Sequence, residues 1–188
     1  MLDKTIVNII RARNLSKERR LGSEKWQRAV RTGEWLIANL PRQASFQLYT
    51  FNESAESAIP EQDTKWLSVQ DRDKIEETIN YLNQIVPTGG TSLHHALAKA
   101  KLFEPPPDNI FLIVDGLPTQ GLNPPQSNIV SSQERNALFV DAISLTPGNI
   151  PINVILFPME GDPLAAASYW RLAQITSGSF LAPSEDWP

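Results

Sequence analysis

Two short, strongly apolar runs, IFLIV at 110–114 and INVILF at 152–157, the second interrupted only by Asn153, constrain the fold of this chain more than any other feature of its sequence. A strand that is apolar at every position has no face to give to water. It therefore belongs in a sheet covered on both sides, the usual setting of parallel strands. Around these runs the apolar residues return at helical spacing, so strands and helices alternate along the chain. That alternation implies an α/β fold with a mostly parallel, Rossmann-like sheet between two layers of helices. At 188 residues the chain has room for one such domain, spanning 1–188, and not for two comfortable ones. No internal repeat is present.

The remaining elements emerge from spacing and from cap and turn chemistry. Leu2, Ile6, Ile9 and Ile10 share one helical face, so the chain is expected to open on an amphipathic helix. After a basic stretch from Arg11 to Arg20, Ser23 is placed to cap a helix with Trp26, Ala29, Val30, Gly33, Leu36, Ile37 and Leu40 inward, stopped by Pro41. Residues 45–52 (SFQLYTFN) and 64–69 (TKWLSV) read as strands, the second a short edge strand. Asp71 caps a helix carrying Ile75, Ile79, Leu82 and Val86, and Thr91 or Ser92 opens the next, with Leu93, Ala96, Leu97 and Ala100 inward. Ser131 and Glu134 form a capping box ahead of Leu138, Phe139, Ala142 and Ile143. Asp162-Pro163 reads as cap and first turn of a last helix with Ala166, Tyr169, Leu172 and Ala173 inward. Gly178 ends that helix before a short strand at 179–182.

Bulk properties remove several classes of function. With 17 Lys+Arg against 21 Asp+Glu the net charge is -4 and the basic residues are scattered, so nucleic acid is not the expected partner. Without cysteine there is no disulfide, zinc-thiolate site or thiol nucleophile, a composition that suits reducing and oxidising compartments equally and leaves localisation unknown. No apolar run approaches the roughly 18 residues of a membrane span, and the N-terminus has no signal-peptide core.

Ligands of an open parallel sheet gather at the carboxyl ends of its strands, so polar residues there are the candidates for chemistry. Asp115 ends the run NIFLIVD and is held at the rim by the turn Gly116-Leu117-Pro118-Thr119. Its bland reading is a turn cap. Thr88-Gly89-Gly90-Thr91-Ser92 is a glycine-rich turn leading into a helix, and the Thr91 hydroxyl can face the same rim. Carboxylate and hydroxyl together suit a hard divalent cation such as Mg2+, which takes oxygen ligands and keeps several waters. The bland reading of Thr91 is again a helix cap. A phosphate-binding loop is the rival, but the stretch has no Gly-Lys-Ser/Thr ending and no lysine before Lys99.

In order and spacing, TGGTSLHHALAKA, NIFLIVDGLPTQG and INVILFP followed by LAQITSGSFLAP resemble successive landmarks of the von Willebrand factor type A family, in its bacterial form. FNESA resembles the exit of that family's second strand. The resemblance in elements covers essentially the whole chain and implies a domain that binds a protein partner rather than an enzyme. In the family a metal-ion-dependent adhesion site draws on Asp-x-Ser-x-Ser after the first strand, a Thr in the glycine-rich loop and an Asp ending the fourth strand. Thr91 and Asp115 match the last two. The implied mechanism is a bound cation whose open position takes an acidic residue of the partner.

The departure from the family pattern is specific. No Asp-x-Ser-x-Ser occurs, and Met1-Leu2-Asp3-Lys4-Thr5 resembles the family's segment immediately after that motif, so the central first strand is expected to be missing from this chain. Met1 then reads as an internal methionine. Ser177-Gly178-Ser179 imitates the motif, but no Asp precedes it and it falls at the last helix-to-strand turn. Any ion held by Thr91 and Asp115 alone should bind weakly.

Other conspicuous residues have plainer readings. His94 and His95, near Ser92, suggest a hydrolase, yet all three lie within one helical turn whose apolar face points inward, so the imidazoles are expected to face solvent or a loop. No Gly-x-Ser-x-Gly elbow is present. Among Trp26, Trp35, Trp66, Trp170 and Trp187, only the last is expected to be exposed. Arg11, Arg13, Lys17, Arg19 and Arg20 read as a solvated helix-to-helix connection, long enough to be a candidate contact surface. Two rivals to cation-dependent binding stand: a metal-independent scaffold of the same fold, and a nucleotide-binding or hydrolytic α/β enzyme.

A missing central strand leaves buried amides and carbonyls unpaired. At about 1–3 kcal/mol each, several of them rival the whole margin of a domain, about 5–15 kcal/mol. The 188-residue product is therefore expected to be marginally stable, and a cooperative melt at high temperature followed by circular dichroism would contradict this.

Overall fold

The computed structural model describes residues 5, 16–125, 129–146, 148–184 and 186–187. The expected amphipathic helix at the N-terminus lies outside the described residues, as do Arg11 and Arg13. The chain falls into two compact units. One comprises residues up to Thr50, Glu56–Thr88 and the last four residues, and the other comprises Phe51–Ala55 and Gly89–Ser184.

The first unit is built on helices α1 (Lys17–Leu21), α2 (Glu24–Ala38) and α3 (Arg72–Gln84) and strands β1 (Ser45–Phe46) and β4 (Leu67–Ser68). The basic stretch is thus not all connection: Ser16 caps α1, accepting from the Arg19 amide, and α1 buries none of its residues. Residues 45–52 do not form one strand. Gln47 turns its amide onto the carbonyls of Gln62 and Lys65 and its oxygen onto the Leu48 amide, which separates β1 from β2 (Tyr49–Phe51). Strand β1 pairs antiparallel with β4, two residues long where the sequence suggested six. Phe46 and Leu67 then meet Ile37 and Ile59 in a small core. Asp71 caps α3 as expected, accepting from Lys74 N at 3.1 Å.

Buried Thr32 accepts the Trp187 indole N–H at 3.2 Å, and Trp187 stands edge-on to Trp35 with centroids 5.1 Å apart. The expectation that Trp187 alone is exposed is overturned: Trp187 is half-buried, while Trp35 and Trp170 are 42% and 52% exposed. An indole N–H near a buried hydroxyl is worth a hydrogen bond, and the terminus follows it inward. Tyr49 gives its hydroxyl to Asp63 at 2.5 Å, and burial, with that carboxylate second, pushes the phenol up to about 12.

The second unit holds helices α4 (Leu93–Ala100), α5 (Ser132–Ile143) and α6 (Ala165–Ile175) and strands β5 (Ile110–Val114), β6 (Ile152–Leu156) and β7 (Phe180–Leu181). The strands form a parallel sheet in the order β5-β6-β7, with Ile110 opposite Ile152 and Val114 opposite Leu156. The core lies on the face of Leu112, Val114, Ile152, Val154 and Leu156, against Leu93 and Leu97 of α4, Phe139 and Ala142 of α5, and Tyr169 and Leu172 of α6. Strand β5 is not buried on both faces: Phe111 is 48% exposed, and among the described residues β6 is its only strand partner.

Helix ends divide between expectation and surprise. Ser92 caps α4, and Ser131 with Glu134 closes the expected capping box on α5. Helix α6 departs from the sequence reading at both ends. Its N-cap is Leu164, not Asp162, and its first buried residue is Ala165 rather than Ala166. At its C-terminus Ser177 takes the left-handed conformation (φ 58°) expected of Gly178. Gly178 is needed for a different reason, since a Cβ there would sit 2.0 Å from the Ile152 carbonyl oxygen. Two substitutions test this division of labour in urea unfolding. Gly178→Ala is expected to cost about 3 kcal/mol, because backbone cannot retreat as a side chain can. Ser177→Gly is expected to gain about 0.5–1 kcal/mol by relieving the left-handed residue.

Candidate functional site

Because β5 and β6 end at one level, the segments that leave them emerge side by side, tied by Phe157 N to Val114 O at 2.8 Å. Asp115 stands first on the segment leaving β5, half-buried. The glycine-rich turn before α4 is clasped to the continuation of that segment. Thr119 N and Gln120 N donate to Thr91 O at 2.9 and 3.0 Å, and Thr91 N donates to Thr119 Oγ1 at 2.9 Å. The Ser92 hydroxyl donates to Gly121 O at 2.8 Å, and Ser92 bridges Gln120 in parallel register. Thr91 and Asp115 are therefore carried by two segments hydrogen-bonded to each other within one unit. The glycines fit this closeness: a Cβ on Gly90 would lie 2.4 Å from Gln120 Nε2, and Gly89 takes φ 74°.

A third segment joins them. At the tip between β2 and β3 (Ala55–Ser57), Asn52 O accepts the Ser92 amide at 2.6 Å and Glu53 Oε1 accepts the Gly90 amide at 3.3 Å. Glu53 escaped the sequence reading, although FNESA resembles a strand exit. Chain oxygens at this rim thus suit a hard cation in kind, but the match in number is partial. Among the described residues no group of three or more His, Cys, Asp or Glu is placed to hold a metal ion.

Beneath the Asp115 turn lies a buried polar network that sequence reasoning missed. Asp162 Oδ2 accepts the Leu117 amide at 2.6 Å and the Arg135 guanidinium at 2.7 Å. Arg135 also donates to Leu117 O through Nε at 3.2 Å and through Nη2. Tyr169 donates its hydroxyl to Gly116 O at 3.0 Å. Asp162 does not cap α6 because its carboxylate turns inward to this cluster. Two signals were available in the sequence. Arg135 stands in the stripe of Phe139 and Ala142, on the face that α5 buries, and Asp162 comes after β6 much as Asp115 comes after β5.

Neither histidine faces solvent freely. His94 Nδ1 lies 3.3 Å from Asp141 Oδ2 of α5, and His95 Nδ1 is buried without a hydrogen-bond partner. The α4–α5 packing accounts for the position of His94, which faces Asp141 of α5.

No family profile matches this sequence, and no curated protein matches it. Its fold does have solved counterparts. A structure described as von Willebrand factor type A from Catenulispora acidiphila superposes with a TM-score of 0.61 at 15% identity. The match covers 90% of this chain and 37% of that one, so the chain spans little more than a third of its counterpart's length. The fold is α/β with a parallel sheet, of the von Willebrand factor type A kind.

Burial first, then the Asp115 and Asp162 carboxylates, raise the Tyr169 phenol far above its ordinary value near 10, while Arg135 opposes them. A hydroxyl whose folded pKa is raised contributes its full stability below the unfolded pKa and loses it as pH climbs past that value. Stability is accordingly expected to fall above pH about 10. Absorbance at 295 nm should show Tyr169 ionising only as the protein unfolds, a step absent from Tyr169→Phe.

Proposed function

We propose that this chain is a non-enzymatic, von Willebrand factor type A-like module that binds a protein partner at the rim of its parallel sheet. In this reading a divalent cation, Mg2+ or a similar hard ion, is held by the Asp115 carboxylate and the Thr91 hydroxyl. The ion's open position takes an acidic residue of the partner. The observation that supports it is the three-bond clasp between Thr91 and Thr119–Gln120, which brings the hydroxyl-bearing turn against the segment that begins with Asp115. Two chain oxygens are few even for an ion that keeps its waters, so affinity is weak.

Among the described residues β5 pairs with β6 alone, and IFLIV carries no charge or proline on its other edge, so that edge is open to pairing. A metal-independent scaffold is the second reading. It asks of the rim only the clasp itself, whose backbone and hydroxyl bonds hold the two segments together. Among the described residues no helix is long and apolar enough to cross a membrane.

Titration with MnCl2, followed by water-proton relaxation, tests the first reading against the second. Millimolar binding that disappears in Asp115→Ala and in Thr91→Ala is expected. Binding indifferent to both substitutions, or none at all, favours the metal-independent scaffold.

A further inference from the structure

We propose that Asp162, steadied by Arg135, is the positioning residue of the Asp115 turn: its carboxylate fixes the backbone at Gly116 and Leu117 and so sets where Asp115 points. The inference gains its functional meaning from the reading of Asp115 as an ion ligand, but it stands on separate geometry.

Three consecutive backbone polar groups after Asp115 are each held by a side chain rather than by the sheet. The Gly116 carbonyl is held by Tyr169, the Leu117 amide by Asp162 and the Leu117 carbonyl by Arg135. The carboxylate presses directly on the turn, for a Cβ on Gly116 would lie 2.7 Å from Asp162 Oδ2 and 3.0 Å from Arg135 Nη2. The Asp162 side chain is fully buried, yet its Oδ1 has no hydrogen-bond partner. A buried acid with one bare oxygen is a poor device for stability alone, because desolvation offsets much of what the ion pair returns. The arrangement does supply a single conformation for the residues just beyond Asp115. Partners of this kind, one step removed from a ligand, commonly govern its orientation.

The test is amide hydrogen exchange on the metal-free chain, with MnCl2 titration run beside it. Val154, whose amide is bonded to Ser179 O within the sheet, serves as the internal reference. Asp162→Ala is expected to speed exchange at Leu117 by roughly tenfold or more relative to Val154, and to weaken Mn2+ binding by about the same factor. Asp162→Asn keeps an acceptor for the Leu117 amide and should restore most of both. If Asp162→Ala fails to fold because Arg135 is left unpaired, the double substitution Asp162→Leu with Arg135→Met removes both charges. It should loosen Leu117 in the same selective way. Exchange rising equally at Leu117 and Val154, or no rescue by Asn, would overturn the proposal, as would unchanged Mn2+ affinity with a loosened turn. A wild-type chain that binds no Mn2+ refutes the cation reading alone; selective, Asn-rescued exchange still upholds the positioning role.

Discussion

Because β5 and β6 pair in parallel over five consecutive residues, their carboxyl ends stop at one level, and the buried network of Arg135, Asp162 and Tyr169 is arranged around that shared exit. The chain must leave both strands at once, beside helices α5 and α6 that bring Phe139 and Tyr169 into edge-on contact at 5.1 Å. The first peptide groups beyond β5 are therefore taken from water before the chain has escaped the core, as the burial of Gly116, Leu117 and Pro118 shows. Buried backbone must find partners, and among the described residues no strand offers them. Side chains from neighbouring elements fill the role, which explains why an arginine and an aspartate lie in an otherwise apolar core.

The same exit explains the glycines. Gly116 yields its side-chain space to the Asp162 carboxylate, and Gly90 yields its own to Gln120. Neither glycine has a positive φ; the space a Cβ would take is filled at Gly116 by the buried Asp162 carboxylate and at Gly90 by the end of the Gln120 side chain. Gly89 has the positive φ, and it carries the turn that delivers Thr91 to its three bonds with Thr119 and Gln120. Backbone freedom at one glycine and absent volume at its neighbour together make one clasp.

Periodicity made the strands and helices of the second unit legible. The runs at 110–114 and 152–156 are strands, and the caps at Asp71, Ser92 and Ser131 hold with their hydrogen bonds. Legibility failed where a side chain outcompeted the local pattern. Gln47 broke a strand by bonding across to 62 and 65, and Asp162 abandoned a helix cap for a buried amide. Gly178 reads as a conformational glycine and is a steric one. Each of these depends on a residue distant in sequence, which no local spacing rule can contain. At the rim, Asp115 and Thr91 could be proposed from strand ends and a glycine-rich turn. Glu53 could not, and although Arg135 and Tyr169 stand on the inward faces of their helices, the turn they hold is set by packing.

Thr91 and the residues after Asp115 are held by bonds already made within the protein, so a ligand arriving at this rim meets loops that need little further ordering. Ordering costs are a large part of what weak sites lose, and they are small here. On the cation reading, affinity would be governed by the number of oxygens the rim presents. The same economy suits the metal-independent alternative, in which the rim would meet a partner as a preformed surface. The two readings diverge at the Asp115 carboxylate, which the cation reading uses and the scaffold reading leaves as one polar group among several.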